Sequence, residues 1–200
     1  MNLYHHLLLT KWAESLTSPG IIVLSQPLLV NSENELDLNI ANYPKQYERF
    51  LKALASSGHD IVCLSGDVHF GRIAQVEFGV KGAKLHEIIA SPMSNLTGIN
   101  AKIAESLPVK IGDFPLSEIT GVPIKGVLYD KDWAVTTERV KFLRFFSYKK
   151  TKEHFMTLAF TKTPLNKVKI EIQAWRIREI DKKTGLPKPD FKTPHQIIIS

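Results

Sequence analysis

Asp67 and His69 are the two residues whose type and spacing point most directly to chemistry. They stand two positions apart in Leu64-Ser65-Gly66-Asp67-Val68-His69-Phe70, where the short apolar run Ile61–Ser65 ends. Such a run reads as a buried strand, and Gly66 permits a sharp change of direction as the chain leaves it. In open α/β sheets, ligands bind just beyond the C-terminal ends of strands. A carboxylate and an imidazole leaving one strand edge together offer an oxygen and a nitrogen to an ion. Hard and borderline divalent ions, or ferric iron, accept that pair. The spacing alone leaves a second reading open, in which Asp67 caps a turn and His69 is a surface side chain.

The elements that must position these residues are legible around them. Leu8, Leu9, Trp12, Ala13 and Leu16 recur at spacings of three and four, which predicts a short helix stopped by Ser18-Pro19-Gly20. Ile21–Ser25 is an unbroken run of the kind that suits a central strand buried on both faces, and Pro27 cannot continue it. Residues 31–42 read as a polar loop. Tyr43-Pro44 opens a helix with Tyr47, Phe50, Leu51, Leu54 and Ala55 on one stripe, closed by Gly58. Strand, loop, helix and strand over residues 21–65 make a βαβ unit, so the expected class is α/β.

Beyond the motif, Arg72–Phe78 and Lys84–Ala90 read as a hairpin joined through Gly79 and Gly82. Residues 91–126 are rich in Ser, Pro, Gly and Asn and read as irregular, with one short helix near 100–107. The tail turns to strands again at His154–Phe160, Val168–Trp175 and Gln196–Ile199. Trp133, Trp175 and the Phe142–Phe146 cluster read as core aromatics. His86, His154 and His195 read as packed or surface groups.

The chain has 200 residues, 44% apolar and 23% charged, which is one globular domain or one large domain missing a part. The single Cys63 cannot form an internal disulfide and reads as a small buried hydrophobe. No stretch reaches the roughly 18 to 20 apolar residues of a membrane span. Taken as written, the N-terminus lacks a signal sequence and points to the cytoplasm, an inference that lapses if residues precede Met1. From residue 131 onwards sixteen Lys and Arg face seven Asp and Glu, whereas residues 1–130 carry ten and thirteen. A basic half of this kind suits phosphorylated ligands, nucleic acid or acidic surfaces, or is simply a solvated Lys-rich sheet face.

Several stretches, taken in order, resemble the alkaline phosphatase D-like branch of the calcineurin-like metallophosphoesterases. Ser65-Gly66-Asp67-Val68-His69 is similar to that branch's Gly-Asp-x-His version of the superfamily's last ligand motif. Trp12 and Leu16 resemble its Trp-Leu-x-x-x-Leu helix, and Ser25-Gln26-Pro27-Leu28 its Ser-Gln-x-Pro strand end. Asn42-Tyr43-Pro44 with Arg49 resembles its Gly-Tyr-Pro…Arg segment. Glu87 to Asn95 resembles its Glu-Ile-x-Ser-Ser-Pro-x-Ser-Asn stretch. The likeness covers residues 8–96 well and the β-rich tail, 127–200, more loosely.

The resemblance implies a fold and a set of roles. The fold is part of an αββα-type sandwich with a β-rich C-terminal segment, read as a single truncated domain over 1–200. His69 would ligate one ion of a two-metal centre and Asp67 would face the other, both as catalytic residues; Gln26 is a further, weaker metal ligand. Tyr43 and Arg49 would approach the substrate phosphate, Arg49 through its fork geometry, although a surface salt bridge serves Arg49 equally well. Glu87 would be a structural partner. The ions implied are Ca, Fe, Mn or Zn, and the substrate a phosphomonoester or phosphodiester.

The family's earlier ligand motifs (Asp-x-His, Gly-Asp-x-x-Asp and Gly-Asn-His) are not found in this sequence. A two-metal site that activates water needs about six ligands or more, and two remain. Two functions are therefore expected in competition. One is a metal-dependent phosphoester hydrolase, weak alone and completed by a missing N-terminal segment or chain. The other is a non-catalytic remnant that binds anions or a partner, nucleic acid included.

Overall fold

The computed structural model describes residues 3–29, 40, 43–66, 71–78, 82–91, 124–129, 137–142, 146–151 and 154–200. Helix α1 (Leu3–Glu14) opens the chain and leads into β1 (Gly20–Val23). Trp12 and Leu16 lie over the start of β1. A Cβ at Gly20 would stand 2.9 Å from Trp12 Cζ2 and 3.2 Å from Leu16 Cδ1, so glycine makes room for the indole. Helix α2 (Pro44–Ser56) begins on Pro44, whose fixed φ suits a first helical turn. Its predicted stripe faces inward: Tyr47, Phe50, Leu51, Leu54 and Ala55 are all buried. Gly58, at φ 70°, lets the chain turn back after the helix. It continues into β2 (Ile61–Ser65), which pairs parallel with β1 from Gly20↔Ile61 to Val23↔Leu64. The βαβ reading of residues 21–65 is thus the observed one.

Strands β3 (Gly71–Phe78) and β4 (Lys84–Ala90) form the expected antiparallel hairpin. The returning strand β4 inserts beside β2 in parallel, and β5 (Ile124–Tyr129) adds to the far side of β3, giving the order β1-β2-β4-β3-β5. Alternation along these strands divides the core. Ile61, Cys63, Leu85 and Val76 face the two helices, with Ile22, Leu28 and Leu29 in the same cluster. Val62, Ile73 and Ile88 face the other way.

There they meet a second sheet, built from β8 (His154–Lys162), β9 (Val168–Ile180), β10 (Pro187–Pro189) and β11 (His195–Ile199). Its inner side chains Ile170, Ile172, Ala174, Ile197 and Ile199 complete the inter-sheet core. A separate hairpin pairs β6 (Thr137–Phe142) with β7 (Phe146–Thr151). The described residues are therefore mixed α/β and mostly strand, layered helix, sheet, sheet. No second helical layer is present among the described residues.

Three local expectations are corrected. The run Ile21–Ser25, read as a central strand buried on both faces, ends at Val23 and pairs with β2 alone among the described residues. Its residues alternate buried and exposed, with Ile21 44% and Val23 74% accessible. An unbroken β-branched run encodes strand, but whether its second face is covered depends on partners elsewhere in the chain. Trp175, read as a core aromatic, lies on the outer face of the second sheet. It stacks on Phe155 with ring centroids 6.4 Å apart and donates its indole N–H to Thr157 Oγ1 at 2.9 Å. The region read as irregular up to residue 126 already enters β5 at Ile124. The loop read over residues 31–42, apart from Ile40, the helix expected near 100–107 and Trp133 fall outside the described residues.

Candidate functional site

Three parallel strands, β1, β2 and β4, end at one edge of the first sheet. Their register fixes how they leave it. Leu24 N–H donates to Leu64 O at 2.9 Å, the bond that closes the last β1–β2 pair, Val23↔Leu64. Gln26 follows three residues after that pair on one chain segment and Gly66 two residues after it on the other. Ser65 in turn stands opposite Ile89, so β4 reaches the same edge one residue before Ser91, which is buried. Asp67 and His69 come directly after Gly66 and lie outside the described residues, so the chain is followed to the threshold of the motif and not through it.

Gly66 itself corrects an expectation. It does not occupy the left-handed region, and among the described residues a Cβ there would meet only Ala90 O, at an ordinary 3.6 Å. Neither its φ nor the space among the described residues demands glycine here.

Helix α2 runs back from this edge, because it joins the C-terminal end of β1 to the N-terminal start of β2. Tyr43, its N-cap residue, therefore stands at the edge, partly exposed, with its N–H donating to Ile40 O at 3.0 Å. Arg49 is six residues further along, roughly 9 Å down the helix axis. It is exposed on the face opposite the buried stripe and lines an open groove of about 360 Å³ with Glu14, Lys45, Glu48 and Lys52. The structure thus brings Gln26, Tyr43 and Gly66 to the strand edge and sets Arg49 on the outer surface of α2.

Behind the edge lies a polar network in an otherwise apolar layer. Glu87, fully buried in the middle of β4, accepts the backbone N–H of Leu28 at 2.6 Å on Oε1 and that of Leu29 at 3.1 Å on Oε2. Ser65 Oγ approaches Oε1 at 3.5 Å. The Cys63 thiol, opposite Glu87 in the β2–β4 register, also bonds to the carboxylate. Tyr47 donates its hydroxyl to Leu28 O from the helix side. Burial, reinforced by the Glu87 charge, raises the Tyr47 hydroxyl well above the usual phenol range and holds the Cys63 thiol well above the usual thiol range. The expected structural role of Glu87 and the expected burial of Cys63 agree with this geometry.

Two groups lie toward the opposite, N-terminal end of the strands: Asp60, which carried no sequence signal, and His86, read as a packed or surface group and found packed. Asp60 accepts the N–H of Lys84 on Oδ1 and that of Ser200 on Oδ2, both at 2.8 Å, and so ties β11 to the first sheet. His86 faces the inter-sheet core and is 3% accessible, with neither ring nitrogen hydrogen-bonded among the described residues. Burial lowers its pKa from 6.5 to about 4; nearby Asp60 opposes the shift, while Lys84 and His195 add to it.

Among the described residues no group of three or more His, Cys, Asp and Glu is gathered for a metal. In sequence, the residues that follow these strand ends carry an amide (Gln26) and, one and three residues after Gly66, a carboxylate and an imidazole. That oxygen and nitrogen set is chemically compatible with Ca, Mn, Fe or Zn, and incomplete for a two-metal centre. Comparison of the chain with protein-family models, with curated proteins and with solved structures finds no match.

Proposed function

We propose that this chain is a metal-binding domain of the phosphoester-hydrolase type, similar to the alkaline phosphatase D-like metallophosphoesterases. Asp67 and His69 supply ligands at the C-terminal edge of the parallel strands. One observation supports the reading: β1 and β2 are parallel neighbours paired through Val23↔Leu64, and the sequence carries Gln26 three residues after Val23 and Gly66 two residues after Leu64. This is where ligands bind in open α/β sheets. The finer fold assignment, a metallophosphoesterase αββα sandwich formed as a single domain, belongs to the same proposal.

A bound ion of the Ca, Fe, Mn or Zn class supplies Lewis acidity toward a phosphoryl oxygen and a more acidic water. The chain's own residues supply the rest. Asp67 and His69 hold the ion, and Gln26 adds a neutral oxygen. Tyr43, at the N-terminus of α2, offers a hydroxyl to the phosphoester beside helix N–H groups that favour an anion. Arg49, on the outer face of α2, acts on substrate only if the helix presents it around its side. With two first-rank ligands, hydrolysis by this chain alone is weak or absent.

The test is hydrolysis of a chromogenic phosphate monoester and diester with added Ca, Mn or Fe, alongside metal analysis of the purified protein and a His69→Ala control. Stoichiometric metal, and a rate that falls in the variant, support the proposal. Equal rates in the two proteins reject the catalytic role. Absence of metal together with salt-sensitive binding to nucleic acid points instead to a non-catalytic anion-binding module.

A further inference from the structure

We propose that Glu87 is a positioning residue: its carboxylate clamps the backbone after β1 against the end of β2 and so sets how the chain at Gln26 and the chain at Gly66 stand relative to one another. The inference extends the metal-site reading above, and its clamp can be tested without any metal.

Four observations carry it. First, Glu87 is the one carboxylate among the largest fully buried side chains, in a strand whose neighbours Leu85, Ile88 and Ile89 are apolar. A charge left in such a layer is tolerated only when well supplied with donors. Second, those donors come from two different strand exits. Leu28 and Leu29 give successive backbone N–H groups from the segment after β1, and Ser65 and Cys63 give a hydroxyl and a thiol from β2. Third, the clamped segment holds no regular strand hydrogen bonds of its own past Leu24, yet Pro27, Leu28 and Leu29 are buried. Its amides need an acceptor from elsewhere, and Glu87 is that acceptor. Fourth, Tyr47 grips the same segment from the opposite side by donating to Leu28 O.

The sequence positions make the consequence specific. Gln26 lies two residues before Leu28, and Asp67 two residues after Ser65. The carboxylate holds residues just inside both in sequence: Leu28 and Leu29 on one side, Ser65 on the other. Replacing Glu87 with Gln keeps the size but turns one acceptor oxygen into a donor, so either Leu28 N–H or Leu29 N–H loses its acceptor and the clamp on the segment after β1 is weakened.

The experiment is amide hydrogen exchange on the full chain, without metal, for wild type, Glu87→Gln and Tyr47→Phe. An Ile172→Ala control loosens the second sheet instead. Glu87→Gln is expected to raise exchange at 28–29 and at 65–66 by tenfold or more, while β8 and β9 keep wild-type protection. Tyr47→Phe, which removes one grip and leaves Ser65 alone, raises exchange at 28–29 only and keeps the test alive if Glu87→Gln does not fold. Ile172→Ala raises exchange in β8 and β9 and leaves 28–29 unchanged. The second arm is Mn²⁺ titration: Glu87→Gln weakens binding tenfold or more, and Ile172→Ala at matched thermal stability does not.

Wild-type exchange at 28–29 in Glu87→Gln overturns the clamp. Raised exchange there with unchanged Mn²⁺ affinity overturns its positioning role. A wild-type chain that binds no Mn²⁺ overturns the metal reading and leaves the exchange arm to decide the clamp by itself.

Discussion

Replacing His86 with Leu should make the protein more stable at neutral pH and remove much of its loss of stability on mild acidification. The imidazole is buried between the two sheets, with Nδ1 and Nε2 both lacking a partner among the described residues. A neutral imidazole always carries one donor and one acceptor. An unsatisfied buried polar group costs about 1–3 kcal/mol, and an apolar side chain of similar size removes the cost. The pH dependence follows from the lowered pKa. Folded His86 titrates near 4 and the unfolded residue at 6.5. Between those values the unfolded state binds more protons, so stability rises with pH in the window, is full above it, and falls as pH drops from 6.5 toward 4. Between pH 7.5 and pH 5 this one residue accounts for a loss of about 2 kcal/mol. The assay is urea denaturation followed by circular dichroism at pH 7.5 and 5, for wild type and His86→Leu. The variant should gain about 1–3 kcal/mol at pH 7.5, and its difference between the two pH values should shrink by about 2 kcal/mol. A variant less stable at pH 7.5, or one with the wild-type pH slope, refutes the reasoning.

Asp60→Ala removes the acceptor that joins Lys84 N–H to Ser200 N–H and should cost about 1–3 kcal/mol in the same denaturation assay; a change below about 0.5 kcal/mol contradicts the latch. Cys63, buried and with its thiol pKa pushed up by burial and by Glu87, should be alkylated by iodoacetamide at pH 8.5 only as fast as the protein opens. Modification outpacing unfolding would contradict its burial. Gly20→Ala drives a Cβ into Trp12 and should cost about 1–3 kcal/mol, whereas Gly66→Ala should stay within about 0.5 kcal/mol. Thermal melts of the two variants check the contrast, and equal losses would refute it.

Local patterning made much of the fold legible. The 3.6-residue stripe of Tyr47, Phe50, Leu51, Leu54 and Ala55 announces α2, and all five are buried. The short apolar run of β2 and the turn glycines around β3 and β4 announce the parallel pair and the hairpin. Features set by distant partners stayed hidden. Asp60 takes its role from Ser200, 140 residues away. The outward placement of Trp175 depends on Phe155 standing beside it in the β8–β9 register. The exposed face of β1 reflects which strands lie next to it, and no pattern within four residues encodes that. For the site, the strand edge was legible and the hydrogen bonds behind it were not. Glu87 is conspicuous in an apolar strand, but its donors on Leu28 and Leu29 are backbone groups that carry no side-chain signature. Tyr47 reads as one more apolar position on its stripe, although its hydroxyl makes the contact that matters.

The account depends on where an ion sits. Mn²⁺ added to isotope-labelled protein broadens the amide signals of residues near it, so a two-dimensional NMR titration maps the site even when binding is weak. The prediction is broadening centred on Ser65, Gly66, Gln26 and Ser91, absent at Ile61 and Leu85 at the other end of the same strands, and lost in His69→Ala. Broadening centred away from that edge, or persisting unchanged in His69→Ala, would contradict a metal site built on Asp67 and His69.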